Sequence, residues 1–221
     1  MQAKYLDHMG GDLAVVQAAK VSFADDATVQ MFIDDIEADL TDTRSHEALI
    51  RYLATHNHWT PFAHAVIKLR MRAPVPIRTQ CFKHKQGFVE NEESRRYISD
   101  APELFIPDFF RSKPVGSIKQ GSADKHEASD LWLARYRSMS ELAIGRYMDA
   151  VAAGICPEQA RFFLPQGCQV NWVWTGSLAA FARFYKQRTD SHAQVEIQQL
   201  AKAVGELIQP LFPYSWKYLT K

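Results

Sequence analysis

Cysteine is scarce: Cys81, Cys156 and Cys168 stand far apart, and no Cys-x-x-Cys pair occurs. Three widely spaced thiols exclude a disulfide framework and a zinc ribbon, and they suit a reducing cytoplasm. No apolar stretch approaches the ~20 residues that a membrane-crossing helix needs. The opening segment "MQAKYLDHMGGDLAVVQAAK" has no apolar core behind a basic start, so no secretion signal is read there. The expectation is a soluble, untargeted, cytoplasmic protein with no membrane partner. Charge imbalance is also missing, since 26 Lys and Arg against 25 Asp and Glu leave +1. Such a chain has no global field to gather nucleic acid, and any anion must be recognised locally. Neither GxGxxG nor a GxxxxGK loop is present, which removes the usual glycine cradles for phosphate.

What is present suffices for a core. Apolar residues make up 47% of 221, and the length is within reach of one domain, taken as residues 1–221. "HEALIRYLAT" places Ala48, Leu49, Tyr52 and Leu53 on one helical face. "HAVIKLRMR" switches period: Ala65, Ile67, Leu69 and Met71 alternate with polar or outward residues, the pattern of a half-buried strand. Pro74 and Pro76 end it and open a helix toward Phe82. Residues 100–129 are rich in Pro, Gly, Ser, Lys and Asp around Phe105, Phe109 and Phe110, and are read as an excursion or lid. A long helix is expected from Asp130 to Ala153, closed by Gly154. "CQVNWVW" alternates again as a second strand. Two helices follow, the last with a stripe of Ile197, Leu200, Ala201, Val204, Leu207 and Ile208 and a capping box in "SHAQ". The fold class is α+β without repeats: a small mixed or antiparallel sheet flanked by helices.

Several residues invite chemistry. His56, His58 and His64 match no standard zinc spacing and Pro61 interrupts them, so no metal site is read. Cys81 and Ser94 lie near His84, which raises nucleophilic catalysis, yet no nucleophile elbow surrounds Ser94 and buried inert cysteines are common. In "SLAAFARFYKQR", Leu178, Phe181, Tyr185 and Arg188 share a face, so an arginine is aimed at the core or a cleft. Arg161 sits between Ala160 and the run Phe162 to Leu164. A buried guanidinium left unpaired costs ~3–5 kcal/mol. Two such arginines, with the cationic stretch "CFKHKQGFVENEESRRY", point to a phosphorylated small molecule.

"KHKQGFVENEESRRY", with "HWTPFAHA" before it and "RTDSHAQVEIQQ" after it, resembles the flavin-dependent thymidylate synthases, the ThyX type. The similarity runs from "VVQAAKVSF" to the last helix. Four features depart from the family pattern. Lys83 and Lys85 replace the two hallmark arginines, and the spacer Gln86 to Glu93 is one residue longer than usual. Ala63 stands where many members have Glu. Thr175 and Gly176 stand where some carry Asn and Arg for the flavin. A lysine keeps the charge but loses the planar fork.

The resemblance implies conversion of dUMP to dTMP, with methylenetetrahydrofolate as carbon donor and FAD, reduced by NADPH, as hydride source. It implies that Gln80, Glu92, Glu93, Ser94, Arg95, Arg96 and Arg161 bind dUMP, and that Arg188 activates its pyrimidine. Ser22, His58, Thr60, Lys83, His84, Lys85 and His192 are implied for FAD. It also implies a homotetramer whose subunits share each site. Two rivals stay open at this point. One is a nucleotide- or RNA-binding module stacking bases on Trp172 and Trp174. The other is a pyrimidine methyltransferase that uses Cys81 and needs no flavin.

Overall fold

A computed structural model describes residues 1–21, 43–115 and 121–221. Four strands form one sheet: β1 (Gln2–Met9), β2 (Val66–Pro74), β3 (Phe88–Glu92) and β4 (Gln169–Ser177), in the order β1-β2-β4-β3. Every pairing is antiparallel, which decides between the two sheet types expected. Ile67, Leu69, Met71 and Ala73 of β2 are fully buried, as the alternation requires, while Lys68 and Arg70 between them are exposed. Leu69 pairs with Trp174 and Met71 with Trp172, so the inward rows of both strands meet as cross-strand partners. Each large apolar side chain buried this way contributes ~1.5–3 kcal/mol.

Helices cover that face. α1 (Asp12–Lys20) and α2 (Thr43–Thr55) precede β2, and α3 (Val75–Cys81) follows it directly. Pro74 is extended at ψ 155 and a proline occupies the first turn of α3, so the strand turns into a helix where the missing N–H costs nothing. α4 (Ser129–Ala152) ends at Gly154, whose φ of 88 is the left-handed stop. After the short α5 (Pro157–Ala160) and β4 come α6 (Leu178–Thr189), α7 (Val195–Ile208) and α8 (Pro213–Leu219). Phe181 and Phe184 of α6 and the whole expected stripe of α7 except half-buried Leu207 lie in the core.

The face of α2 differs from expectation. Ile50 and Leu53 are buried, whereas Tyr52 is 52% exposed and Ala48 is also outside. α8 decides this: it packs on α2, and Lys217 Nζ and Tyr218 Oη both bond to Glu47 at 2.8 and 2.7 Å. The "SHAQ" box does not form, because α7 starts at Val195 with Gln194 as its cap and no side-chain cap bond.

Residues 100–115 and 121–128 contain no helix or strand, but they are tied down. Leu104 bridges to Cys168, Phe105 N–H donates to the Gly167 carbonyl at 2.9 Å, and Tyr136 of α4 donates to the Phe105 carbonyl at 2.8 Å. Arg111 pairs with Glu196 of α7. The excursion is therefore a pinned wall against α4, β4 and α7. Among the described residues, no helix is long and apolar enough to cross a membrane.

Candidate active site

α6 begins where Ser177 Oγ accepts the Ala180 N–H at 3.2 Å and ends with Lys186 and Arg188 in its last turn, where cations suit the helix dipole. Arg188 is half-buried, one end of the apolar row that begins with Leu178 and Phe181. Its Nε donates to His84 Nε2 at 2.9 Å and its Nη2 to the Gln80 carbonyl at 3.3 Å. Because a guanidinium only donates, His84 Nε2 must be the unprotonated nitrogen. His84 is 7% exposed and meets the Phe184 ring edge-on at 5.1 Å. Burial, then the charges of Arg188 and Arg183, push its pKa down to about 4. Cys81, on the last turn of α3, is buried, and its thiol is pushed up to about 12 despite the pull of Arg188. A cysteine nucleophile acts as its thiolate, and burial here disfavours that form.

Arg188, Gln80 and His192 line a pocket of about 860 Å³ whose other walls include Ile77, Phe105, Phe110 and Tyr136. A chain of contacts holds its rim. Gln80 Nε2 donates to Gln194 Oε1 at 2.7 Å, and Gln194 Nε2 donates to Glu196 Oε2 at 2.9 Å. Arg111 closes the chain on Glu196. Burial alone would raise the Glu196 carboxyl, but hydrogen bonds from Arg111, its own backbone N–H and Gln194 hold it below the ordinary value. His192 is exposed and lies before α7, its ring Nδ1 2.9 Å from Asp190 Oδ1.

The rest of the expected nucleotide set lies elsewhere in the chain. Glu92, Glu93, Ser94, Arg95 and Arg161 share a pocket of about 350 Å³ with Arg78. Arg78 Nε sits 2.9 Å from Glu92 Oε2 in an ion pair, and among the described residues this buried N–H makes no well-aimed hydrogen bond. Burial raises the Glu92 carboxyl, Arg78 opposes, and Glu93 adds to the rise. Glu93 is fixed by Asn171, which donates to its Oε2 at 3.1 Å. Arg161 is not buried: it is exposed, as are Phe162 and Phe163, at 82% and 54%. Arg96 turns outward to Glu158 at 3.2 Å.

A third pocket, of about 820 Å³, was not legible beforehand. Trp59, Gln86, Gly87, Ser177, Arg183 and Lys186 are among its lining residues. Gly87 has φ +77, and a Cβ there would meet Ala180 at 2.9 Å, so only glycine lets the loop lie on the first turns of α6. The one available signal was the small-residue run "SLAA" followed by cations three residues apart, Arg183 and Lys186. Lys83 and Lys85 are exposed, and Lys85 pairs with Glu90. His58 and Thr60 line a separate pocket of about 420 Å³. Ser22 lies outside the described residues. Thr175 and Gly176 are locked in β4 opposite Lys68 and Ile67; pocket-lining positions begin one residue later, at Ser177.

Comparison with known proteins gives one consistent answer. The family model described as thymidylate synthase complementing protein matches residues 4–214. A flavin-dependent thymidylate synthase of Thermus thermophilus is 32% identical over 215 residues, 96% of this chain and 73% of its own length. That of Thermosipho africanus is 31% identical over 219 residues, 99% of this chain and 90% of its own. A crystal structure of the UMP/dUMP methylase PolB from Streptomyces cacaoi, bound with 5-Br dUMP, superposes with a TM-score of 0.84 at 27% identity, covering 99% of this chain and 94% of that one. These similarities define a flavin-dependent methyltransferase. The chain belongs to the flavin-dependent thymidylate synthase family.

Proposed function

We propose that the protein methylates dUMP to dTMP, with methylenetetrahydrofolate as carbon donor, FAD as hydride carrier and NADPH as its reductant. The observation that carries this is Arg188, a guanidinium fixed by His84 and Gln80 on the wall of a large, partly aromatic pocket. For C5 of uracil to act as a nucleophile, the ring must first become electron-rich, with negative charge spread over N3 and the carbonyl oxygens. A fixed cation there stabilises that charge more than the neutral ring. For the nucleotide phosphate, Ser94, Arg95 and Arg161 share one pocket, a donor set suited to an anion.

The third pocket fits a flavin dinucleotide in chemistry: Arg183 and Lys186 for phosphate, glutamine amides, small residues that leave room, and Trp59 as an aromatic surface. Lys83 and Lys85 add exposed cations, with His58 and Thr60 in a neighbouring pocket and His192 on the Arg188 pocket. When bound, the flavin supplies the hydride, and the protein supplies position and charge. Arg188 and the Ser94 group line different pockets of one chain, and Phe162, Phe163, Trp132 and Leu142 are exposed. Both facts support a site assembled across the subunits of a homotetramer.

The test starts with reconstitution with FAD and addition of dUMP. Flavin absorption bands that shift on dUMP addition, together with NADPH oxidation and dTMP formation, are expected. Absence of NADPH oxidation with excess FAD would refute the reading. Mixing Arg161→Ala with Arg188→Ala should restore activity if sites are shared between chains, and should not if each chain is self-sufficient.

A further inference from the structure

We propose that His84 is a positioning residue for Arg188: its neutral imidazole sets the guanidinium's orientation toward the pyrimidine. This rests on the reading of Arg188 given above. The family resemblance put His84 among the flavin contacts; the geometry points to a different task. The ring is turned inward, buried, edge-on to Phe184, and its Nε2 receives the Arg188 Nε–H at 2.9 Å. A cation that must lie against a flat ring needs its own plane fixed. Nε is the one guanidinium nitrogen rooted in the side chain, so a bond there restricts rotation about the last torsion. The second bond, from Nη2 to the Gln80 carbonyl at 3.3 Å, holds an adjacent corner. The remaining N–H groups are left for a ligand in the pocket that Arg188 lines.

The choice of acceptor matters. A carboxylate in the place of His84 would neutralise the guanidinium and weaken its pull on the developing uracil anion. Imidazole holds the same N–H without subtracting charge. Its low pKa keeps it an acceptor through neutral pH, and the positive neighbours Arg188 and Arg183 are what make protonation unfavourable. Loop 82–87 thus sends its flanking lysines outward and its histidine inward, so neighbouring residues of one motif serve different partners.

The experiment is a double-mutant cycle with His84→Phe, which keeps a ring beside Phe184 but has no acceptor, and His84→Gln, whose Oε1 can replace Nε2. His84→Phe is expected to lower kcat for dTMP formation at least ~10-fold, within the ~10²-fold loss expected for Arg188→Ala. His84→Gln should recover most of it. FAD affinity, read by fluorescence titration, should change less than ~2-fold, as the ring is turned toward Arg188 and Phe184. In an Arg188→Ala background, His84→Phe should cost nothing further. Imidazole ¹⁵N NMR of the FAD-free protein should show His84 with a bonded, unprotonated Nε2 whose shift moves in Arg188→Ala. Multiplicative losses in the cycle, or a weakened flavin affinity in His84→Phe, would overturn the proposal while leaving the role of Arg188 intact. If Arg188→Ala alone left synthesis unchanged, the reading of Arg188 would fail and the positioning role with it. If His84→Phe did not fold, the His84→Gln kinetics and the NMR shift would still decide.

Discussion

Acidification should destabilise the fold through His84, and the size of the effect follows from its surroundings. In the unfolded chain the imidazole titrates near 6.5; in the fold it is pushed down to about 4. Between those values the unfolded chain binds a proton that the folded chain refuses. Stability therefore falls as pH drops from 6.5 toward 4, and this group contributes no slope above or below that window. At ~1.36 kcal/mol per pH unit the full loss is about 3 kcal/mol, a large share of the ~5–15 kcal/mol typical of a domain. Urea unfolding of the wild type and of His84→Gln, at one protein concentration and across this window, isolates the effect from other titrating groups. The wild type should lose about 3 kcal/mol more than the variant between neutral pH and pH 4. Parallel pH profiles would mean that the imidazole titrates alike in both states, and the inward, neutral geometry would be wrong.

Three further outcomes are expected. Cys81→Ala should leave turnover within ~2-fold and cost ~1 kcal/mol of stability, since a buried sulfur is lost and no thiolate is needed; loss of activity with FAD still bound would restore the cysteine mechanism. Gly176→Ala places a Cβ 2.4 Å from the Phe88 ring in the middle of the sheet and should cost ~1–3 kcal/mol by thermal denaturation. Arg111→Ala leaves the buried Glu196 carboxylate uncompensated and should cost ~3–5 kcal/mol, much of it recovered by adding Glu196→Gln; equal stability of the single and double variants would show that the pair carries no such cost.

The sheet core was legible because alternation is a local signal: β2 and the start of β4 follow from period alone, and the two prolines mark the turn into α3. β1 was missed, since all but Ala3 are exposed, and an edge strand without a buried row leaves no period to detect. β3 is hidden in the sequence because Glu90, Asn91 and Glu92 are polar, so only Phe88 marks its buried row. The face of α2 depends on α8, an element with no counterpart in the sequence reading. Arg188 stood out as a charge on an apolar row. Its partner did not, because His84 lies 104 positions away. The capping box failed for a related reason: Gln194 is occupied by Gln80 and Glu196, and Asp190, not Ser191, takes the His192 N–H.

α6 is also a party wall. Gln187 borders both the Arg188 pocket and the Arg183 pocket, with Arg188 next to it in the chain. Under the assignment proposed above, this helix is the element that flavin and nucleotide would share. Thermodynamics then requires symmetry: the factor by which nucleotide tightens flavin binding equals the factor by which flavin tightens nucleotide binding. Where that factor exceeds one, the cofactor is held best when the substrate is already present.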